Sequence, residues 1–127
     1  MKKTIIQTNL APAPIGPYNQ AVMANGMLFI SGQIAINPQS GEIEATTIEE
    51  ETHQVMKNLQ AILAEAGLDF NAVVKTTIFL TDMALFAQVN AIYGTHFASE
   101  APARETVAVK GLPKGVNVEI SMIALAN

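Results

Sequence analysis

Apolar and polar positions along this chain fall into short blocks, each with its own period and its own breakers. Residues 10–17, Leu-Ala-Pro-Ala-Pro-Ile-Gly-Pro, contain three prolines, which forbid a helix and set an extended N-terminal arm. Behind it, Tyr18–Met23 and Met27–Ser31 flank Ala24-Asn25-Gly26. Asn-Gly tolerates the positive φ that a tight turn demands, so a β-hairpin is predicted here. Ser31-Gly32 ends its second strand, and Asn37-Pro38-Gln39-Ser40-Gly41 is a further turn. Thr47-Ile48-Glu49-Glu50 has the form of a capping box, with Thr47 as N-cap and Glu50 three residues on. Ile48, Val55, Leu59, Ile62, Leu63 and Ala66 recur at helical spacing. Gly67 then stands as the residue after the cap and Leu68 as its apolar follower, so a helix is predicted over about 48–66.

Val73–Leu80 is β-branched and apolar and predicts a strand. Asp82 is an N-cap candidate, and the stripe Phe86, Val89, Tyr93, Phe97 predicts a second helix over about 83–98, closed by Pro102. Thr106–Lys110 and Val116–Ala126 predict two last strands. Gly111-Leu112-Pro113-Lys114-Gly115 between them predicts a second hairpin.

The order hairpin, helix, strand, helix, hairpin implies an α+β fold, with an α/β mixed sheet as the alternative. At 127 residues one domain over 1–127 is expected, large enough for a core without disulfide or metal staples. Two helices can cover one face of a sheet of five or six strands. Yet Ile78 and Leu80 oppose Phe79, and Ile120, Met122 and Ala124 oppose Ile123 and Leu125, so these strands are apolar on both faces. Something outside the chain must cover the second face. Composition argues the same way: 14% of residues are charged, against about 25% in ordinary soluble domains. Contact between subunits is therefore expected.

The net charge is −4, and beyond the terminus the basic residues form no cluster, which excludes a phosphate-backbone binder; no nucleic-acid partner is expected. No stretch approaches the roughly 20 apolar residues of a membrane span. The segment after Lys2-Lys3 is broken by Gln7, Asn9 and Pro12 too early for a signal peptide, so a cytoplasmic protein without membrane association is expected. The absence of Cys removes disulfides, thiolate metal sites and Cys nucleophiles together. There is no Gly-x-Gly-x-x-Gly, no Walker A and no Gly-x-Ser-x-Gly elbow. His53 and His96 read as polar-face residues of the two helices rather than metal ligands. Glu49, Glu50 and Glu51 read as a solvated first turn favoured by the helix dipole.

Two charged residues stand apart. Arg104 is the only arginine, and it enters an apolar strand after Ala101-Pro102-Ala103. A single arginine in a chain that otherwise uses Lys suggests a need for the planar fork that matches a carboxylate, the alternative being a plain ion pair. Glu119 interrupts Val118, Ile120, Met122, where a carboxylate costs desolvation unless it is exposed, paired or functional. If the last two strands pair as a hairpin with partner numbers summing to about 225, Glu119 lies across from Thr106 on the face of Arg104; a slip of one residue sends it to the other face.

Along its whole length the chain resembles the YjgF/RidA family of reactive-intermediate deaminases. The matching stretches are Ile15-Gly16-Pro17-Tyr18-Asn19-Gln20-Ala21-Val22, Ser31-Gly32-Gln33-Ile34, and Val74-Lys75-Thr76-Thr77 through Leu80-Thr81-Asp82-Met83. Val89-Asn90 with Tyr93, and Pro102-Ala103-Arg104 followed by Val118-Glu119-Ile120, complete them. The resemblance implies a chorismate-mutase-like α+β fold, a mixed sheet with two helices on one face, and a homotrimer with a central barrel and clefts between subunits. It implies hydrolysis of 2-iminobutanoate and 2-iminopropanoate to 2-oxo acids and ammonia without a cofactor. These imines leak from pyridoxal-phosphate-dependent dehydratases, so it also implies a functional link to such enzymes. The alternative within the family is a metabolite-binding regulator with weak or no catalysis. The ribonuclease activity ascribed to some relatives suits this acidic chain poorly.

Carried over, Arg104 would clamp the substrate carboxylate and Glu119 would hold or activate the attacking water. Tyr18, Ser31, Gly32 and Asn90 would shape and hydrogen-bond the pocket, with Thr106 beside Arg104. Two positions depart from the pattern. Glu105 replaces a small residue and Thr106 a frequent cysteine. Alternation along the strand is expected to send Glu105 away from Arg104.

Overall fold

The computed structural model describes residues 2–126. Asn25 and Gly26 turn the chain with φ of 56° and 75°. The hairpin they close pairs β2 (Ala21–Ala24) with β3 (Met27–Gln33), Ala24 facing Met27. A short strand that periodicity does not announce, β1 (Thr4–Ile6), lies on the outer edge of β2. The arm between them is gathered by buried Gln20. Its Oε1 accepts from the Thr8 N–H, and its Nε2 donates to the carbonyls of Thr8, Ala11 and Pro12.

The first helix, α1 (Ile48–Glu65), starts where Thr47 accepts from the Glu50 N–H. Glu50 reaches back one residue further than a capping box requires, accepting from the N–H and hydroxyl of Thr46. These bonds hold its carboxyl below the usual range. The helix ends in a Schellman motif. Gly67, at φ 76°, donates to Ala64, and Leu68 donates to Leu63.

Next come β4 (Val73–Leu80), a 3₁₀ turn at Met83–Leu85 and α2 (Phe86–Gly94). Asp82 caps the turn by accepting from the Ala84 N–H. The second helix is thus shorter than the stripe predicts: Gly94 and Thr95 close it, and Phe97 packs against the core from outside it. The last strands are β5 (Ala103–Ala108) and β6 (Val118–Leu125).

All six strands form one sheet in the order β1-β2-β3-β6-β4-β5. β6 is antiparallel to both β3 and β4, so β3-α1-β4 and β4-α2-β5 are both parallel crossovers. The result is two helices on one face of a mixed sheet, an α+β arrangement. Val55, Met56, Leu59, Ile62 and Leu63 of α1 are fully buried against Leu28, Ile78, Leu80, Val118 and Ile120 of the sheet. Each such aliphatic side chain contributes about 1.5–3 kcal/mol on leaving water. The face opposite the helices stays open. There Ile5, Phe29, Val107 and Leu125 are 42%, 44%, 42% and 47% exposed.

The predicted C-terminal hairpin does not form. β5 pairs in parallel with β4, and β6 lies on the other side of β4. The connection between them therefore crosses the end of one strand, about 10 Å in all. A Gly/Pro-rich segment of this length bridges neighbours and next-neighbours equally well. β6, whose Val118, Ile120, Met122 and Ala124 are all buried, takes the central place where both its edges are hydrogen-bonded.

Candidate functional site

One cluster forms around a β-bulge. Ile30 pairs with Met122 but Gln33 with Ile120, so Ser31 and Gly32 share one step of the β3–β6 ladder. The bulge brings Gly32 against Glu119. A Cβ added at Gly32 would overlap Glu119 Oε2 and lie 2.8 Å from its Cδ, so only glycine leaves this carboxylate in place. Both residues line a cavity of about 330 Å³ together with Tyr18 and Ser31. Ile15, Ile34, Ile36 and Pro113 supply apolar wall. Ser31 Oγ donates to the Asn19 carbonyl at 2.6 Å, which leaves its lone pairs as the free capacity. The Tyr18 hydroxyl accepts from the Ile15 N–H at 3.3 Å and steadies the arm that forms the cavity rim.

Within the described residues, neither a cation nor a hydrogen-bond donor compensates Glu119, and burial pushes its carboxyl above the ordinary 4.5. A carboxyl raised on folding binds its proton more tightly folded than unfolded. Its stabilising contribution is therefore lost as pH rises from 4.5 through the raised value. Glu119→Gln should gain stability over wild type at about pH 7 and much less at about pH 4, read from urea midpoints. A pH-independent gap between the two proteins would contradict this burial.

The second cluster lies on the other face. Arg104 pairs with Thr76 in the β4–β5 register, and Thr76 faces the helices. The Arg104 guanidinium donates from Nη1 to Asn90 Oδ1 at 2.7 Å. Its Cζ lies 5.1 Å from the ring centre of Tyr93 and 5.6 Å from that of Phe86. Thr106 shares this face, with its Oγ1 buried and without a partner among the described residues. Glu105 points the opposite way, as alternation predicts. The Thr77 hydroxyl donates to its Oε2 at 2.9 Å, Lys75 Nζ lies 3.2 Å from its Oε1, and these contacts lower its carboxyl.

Glu119 pairs with Phe79, on the face away from the helices. Arg104 and Glu119 are therefore on opposite faces of the sheet, which corrects the same-face expectation that followed from the hairpin. The chain gathers Tyr18, Ser31, Gly32 and Glu119 into one cluster and Arg104, Asn90 and Thr106 into another.

The family model described as Endoribonuclease L-PSP matches residues 8–126, nearly the whole chain. The chain belongs to this family, the YjgF/RidA family. A RutC family protein of Synechocystis is 54% identical over 127 residues, covering 98% of each chain. The 2-iminobutanoate/2-iminopropanoate deaminase of Mus musculus is 48% identical over 123 residues, covering 97% of this chain and 91% of that one. The crystal structure of E. coli TdcF with bound serine superimposes with a TM-score of 0.92 at 41% identity, covering 98% of this chain and 99% of that one.

Sequence reasoning passed over two residues that support the Glu119 cluster of this Rid-family chain. Glu51 is not solvated but 6% exposed. Its carboxylate accepts from the backbone N–H groups of Asn117 (2.7 Å) and Val118 (3.0 Å) and from Asn117 Nδ2 (3.0 Å), fixing the strand start just before Glu119. Asn58, also buried, donates to the carbonyls of Ile34 and Ile36 and holds the apolar wall of the cavity. The available signal was phase: both positions fall on the buried stripe of α1 with Val55, Leu59 and Ile62. His53 is exposed on α1, in keeping with its reading, whereas His96 departs from its own. His96 lies beyond the end of α2, and burial together with nearby His53 holds its imidazole below the usual value. Among the described residues no three His, Cys, Asp or Glu converge as a metal site, and no helix is long and apolar enough to cross a membrane.

Proposed function

We propose that this protein hydrolyses small 2-imino acids, 2-iminobutanoate and 2-iminopropanoate, to 2-oxo acids and ammonia. The reaction occupies a cleft that two subunits of a homotrimer complete. The observation that carries the reading is the division of the site: an uncompensated carboxylate in a cavity on one face, and a free arginine fork on the other. Neither half suffices alone, and the exposed Ile5, Phe29, Val107 and Leu125 supply a face for subunits to share. The mouse deaminase at 48% identity supports the chemistry. The number three rests on the family resemblance.

In this reading Arg104 of one subunit binds the substrate carboxylate through its fork. Glu119 of the neighbour takes a proton from water as the oxygen bonds to C2. Glu119 hands that proton to the imine nitrogen, giving a carbinolamine; the hydroxyl proton then passes to the nitrogen as the C2–N bond breaks, so ammonia leaves and C2 becomes the carbonyl of the oxo acid. An imine is already electrophilic, so positioning and one base are enough, and no cofactor enters. The raised carboxyl of Glu119 suits a base. A ribonuclease would need a cationic footprint that a net charge of −4 does not supply.

The test is a coupled assay in which a threonine dehydratase generates the imine and release of 2-oxobutanoate is timed. The wild-type protein should accelerate release. Arg104→Ala and Glu119→Gln should each fail, and their co-expressed mixture should recover about a quarter of the wild-type rate, since random assembly pairs an intact Arg104 with an intact Glu119 in that share of clefts. No acceleration by wild type leaves a metabolite-binding regulator. Mixed oligomers that stay inactive would mean that the cleft is not shared.

A further inference from the structure

We infer that Phe86 and Tyr93 are positioning residues for the anion clamp, and that with Asn90 they form a cradle of neutral groups that orients Arg104 without neutralising it. The inference rests on the reading of Arg104 as the carboxylate clamp. Phe86, Asn90 and Tyr93 stand at i, i+4 and i+7 of α2, one helix face, and all three meet the same guanidinium.

Their chemistry is selective in what it leaves free. A guanidinium has five N–H donors. Asn90 takes one of them, on Nη1. The two aromatic rings attract the cation through their π faces and consume no donor. The edge formed by Nε and Nη2 thus stays available for a bidentate carboxylate. A carboxylate partner would hold an arginine more strongly, but it would cancel the charge the substrate needs. None pairs with Arg104 among the described residues, and the adjacent Glu105 is turned to the other face and tied to Lys75 and Thr77.

The cradle is anchored from below. The Tyr93 hydroxyl donates to Thr76 Oγ1 at 2.9 Å, and Thr76 is the fully buried register partner of Arg104. Helix α2 is thereby pinned to the strand position beside the arginine it orients. Preorganising a long, rotamer-rich side chain in this way spares the entropy otherwise lost when substrate binds.

The experiment is calorimetric titration of the whole protein with 2-oxobutanoate, with imine turnover measured in parallel. Phe86→Leu should weaken binding about three- to tenfold and raise KM alike, with kcat unchanged. Phe86→Tyr, which restores a ring face, should bind within about twofold of wild type. In an Arg104→Met background Phe86→Leu should change residual binding less than about twofold, because the cation it orients is gone. Asn90→Asp, isosteric but charged, should weaken binding about tenfold or more by pairing with the arginine. If Arg104→Met itself bound as well as wild type, the clamp reading would fail. If Arg104→Met lost binding while folded Phe86→Leu and Asn90→Asp kept wild-type affinity, the clamp would stand and the cradle would be wrong.

Discussion

Glu119→Gln should slow imine turnover by about 10²–10⁴, the usual worth of a positioned general base, while binding of a 2-oxo acid stays the same or tightens. The glutamine keeps the shape and hydrogen-bonding capacity of the side chain in the pocket beside Gly32, so the cavity is preserved. It cannot accept a proton from water. It also removes a negative charge from the cleft proposed to bind an acid, which is why affinity should not fall. Arg104→Lys should behave in the opposite way. It keeps the charge but loses the fork, and with it one charge-assisted hydrogen bond of about 1.5–3 kcal/mol, or roughly ten- to a hundredfold in affinity. Calorimetry with 2-oxobutanoate and the coupled assay together separate clamp from base. Full turnover by Glu119→Gln would require another base, and wild-type affinity in Arg104→Lys would remove the clamp.

Glu51→Ala should cost the fold about 1–3 kcal/mol, the range for leaving a buried hydrogen-bond donor without its acceptor. The carboxylate accepts three hydrogen bonds from the segment that starts β6, and the Val118 N–H it satisfies is buried. Alanine leaves the buried Val118 N–H without a partner, a worse outcome than never having made the bond. Glu51→Gln should cost about half as much, since its one remaining oxygen can still accept from a backbone N–H. Urea denaturation at constant protein concentration reads both losses. A loss below about 1 kcal/mol in Glu51→Ala would mean that water satisfies the strand start instead. Activity should fall in parallel, because the strand start anchors the residue that precedes Glu119.

The features legible in the sequence are those decided within a few residues. Asn25-Gly26 turns the first hairpin because those two positions accept positive φ. Thr47 starts α1 and Gly67-Leu68 ends it through bonds between residues no more than five apart. Asp82 caps its own turn, and Val73–Leu80 is a strand by its β-branched pattern. The two charged residues on which the proposal rests also stood out locally, one as the only arginine and the other as a carboxylate inside an apolar strand.

Strand order was not legible, because it depends on which strands compete best for the buried centre of the sheet. Val116–Ala126 reads equally well as the partner of β5 or of β3 and β4. Only the packed sheet shows that its four buried apolar residues draw it between the latter two. That one choice sends Glu119 to the face away from Arg104 and separates the two clusters. The burial of Glu51 has the same origin. Glu49, Glu50 and Glu51 are alike as a first-turn triplet, and what distinguishes Glu51 is a strand start 66 residues away that needs an acceptor. Local conformational preference acts over a turn or two, whereas burial and hydrogen-bond satisfaction are settled by the whole chain at once; the elements therefore belonged to the sequence, and the two-faced site to the tertiary structure.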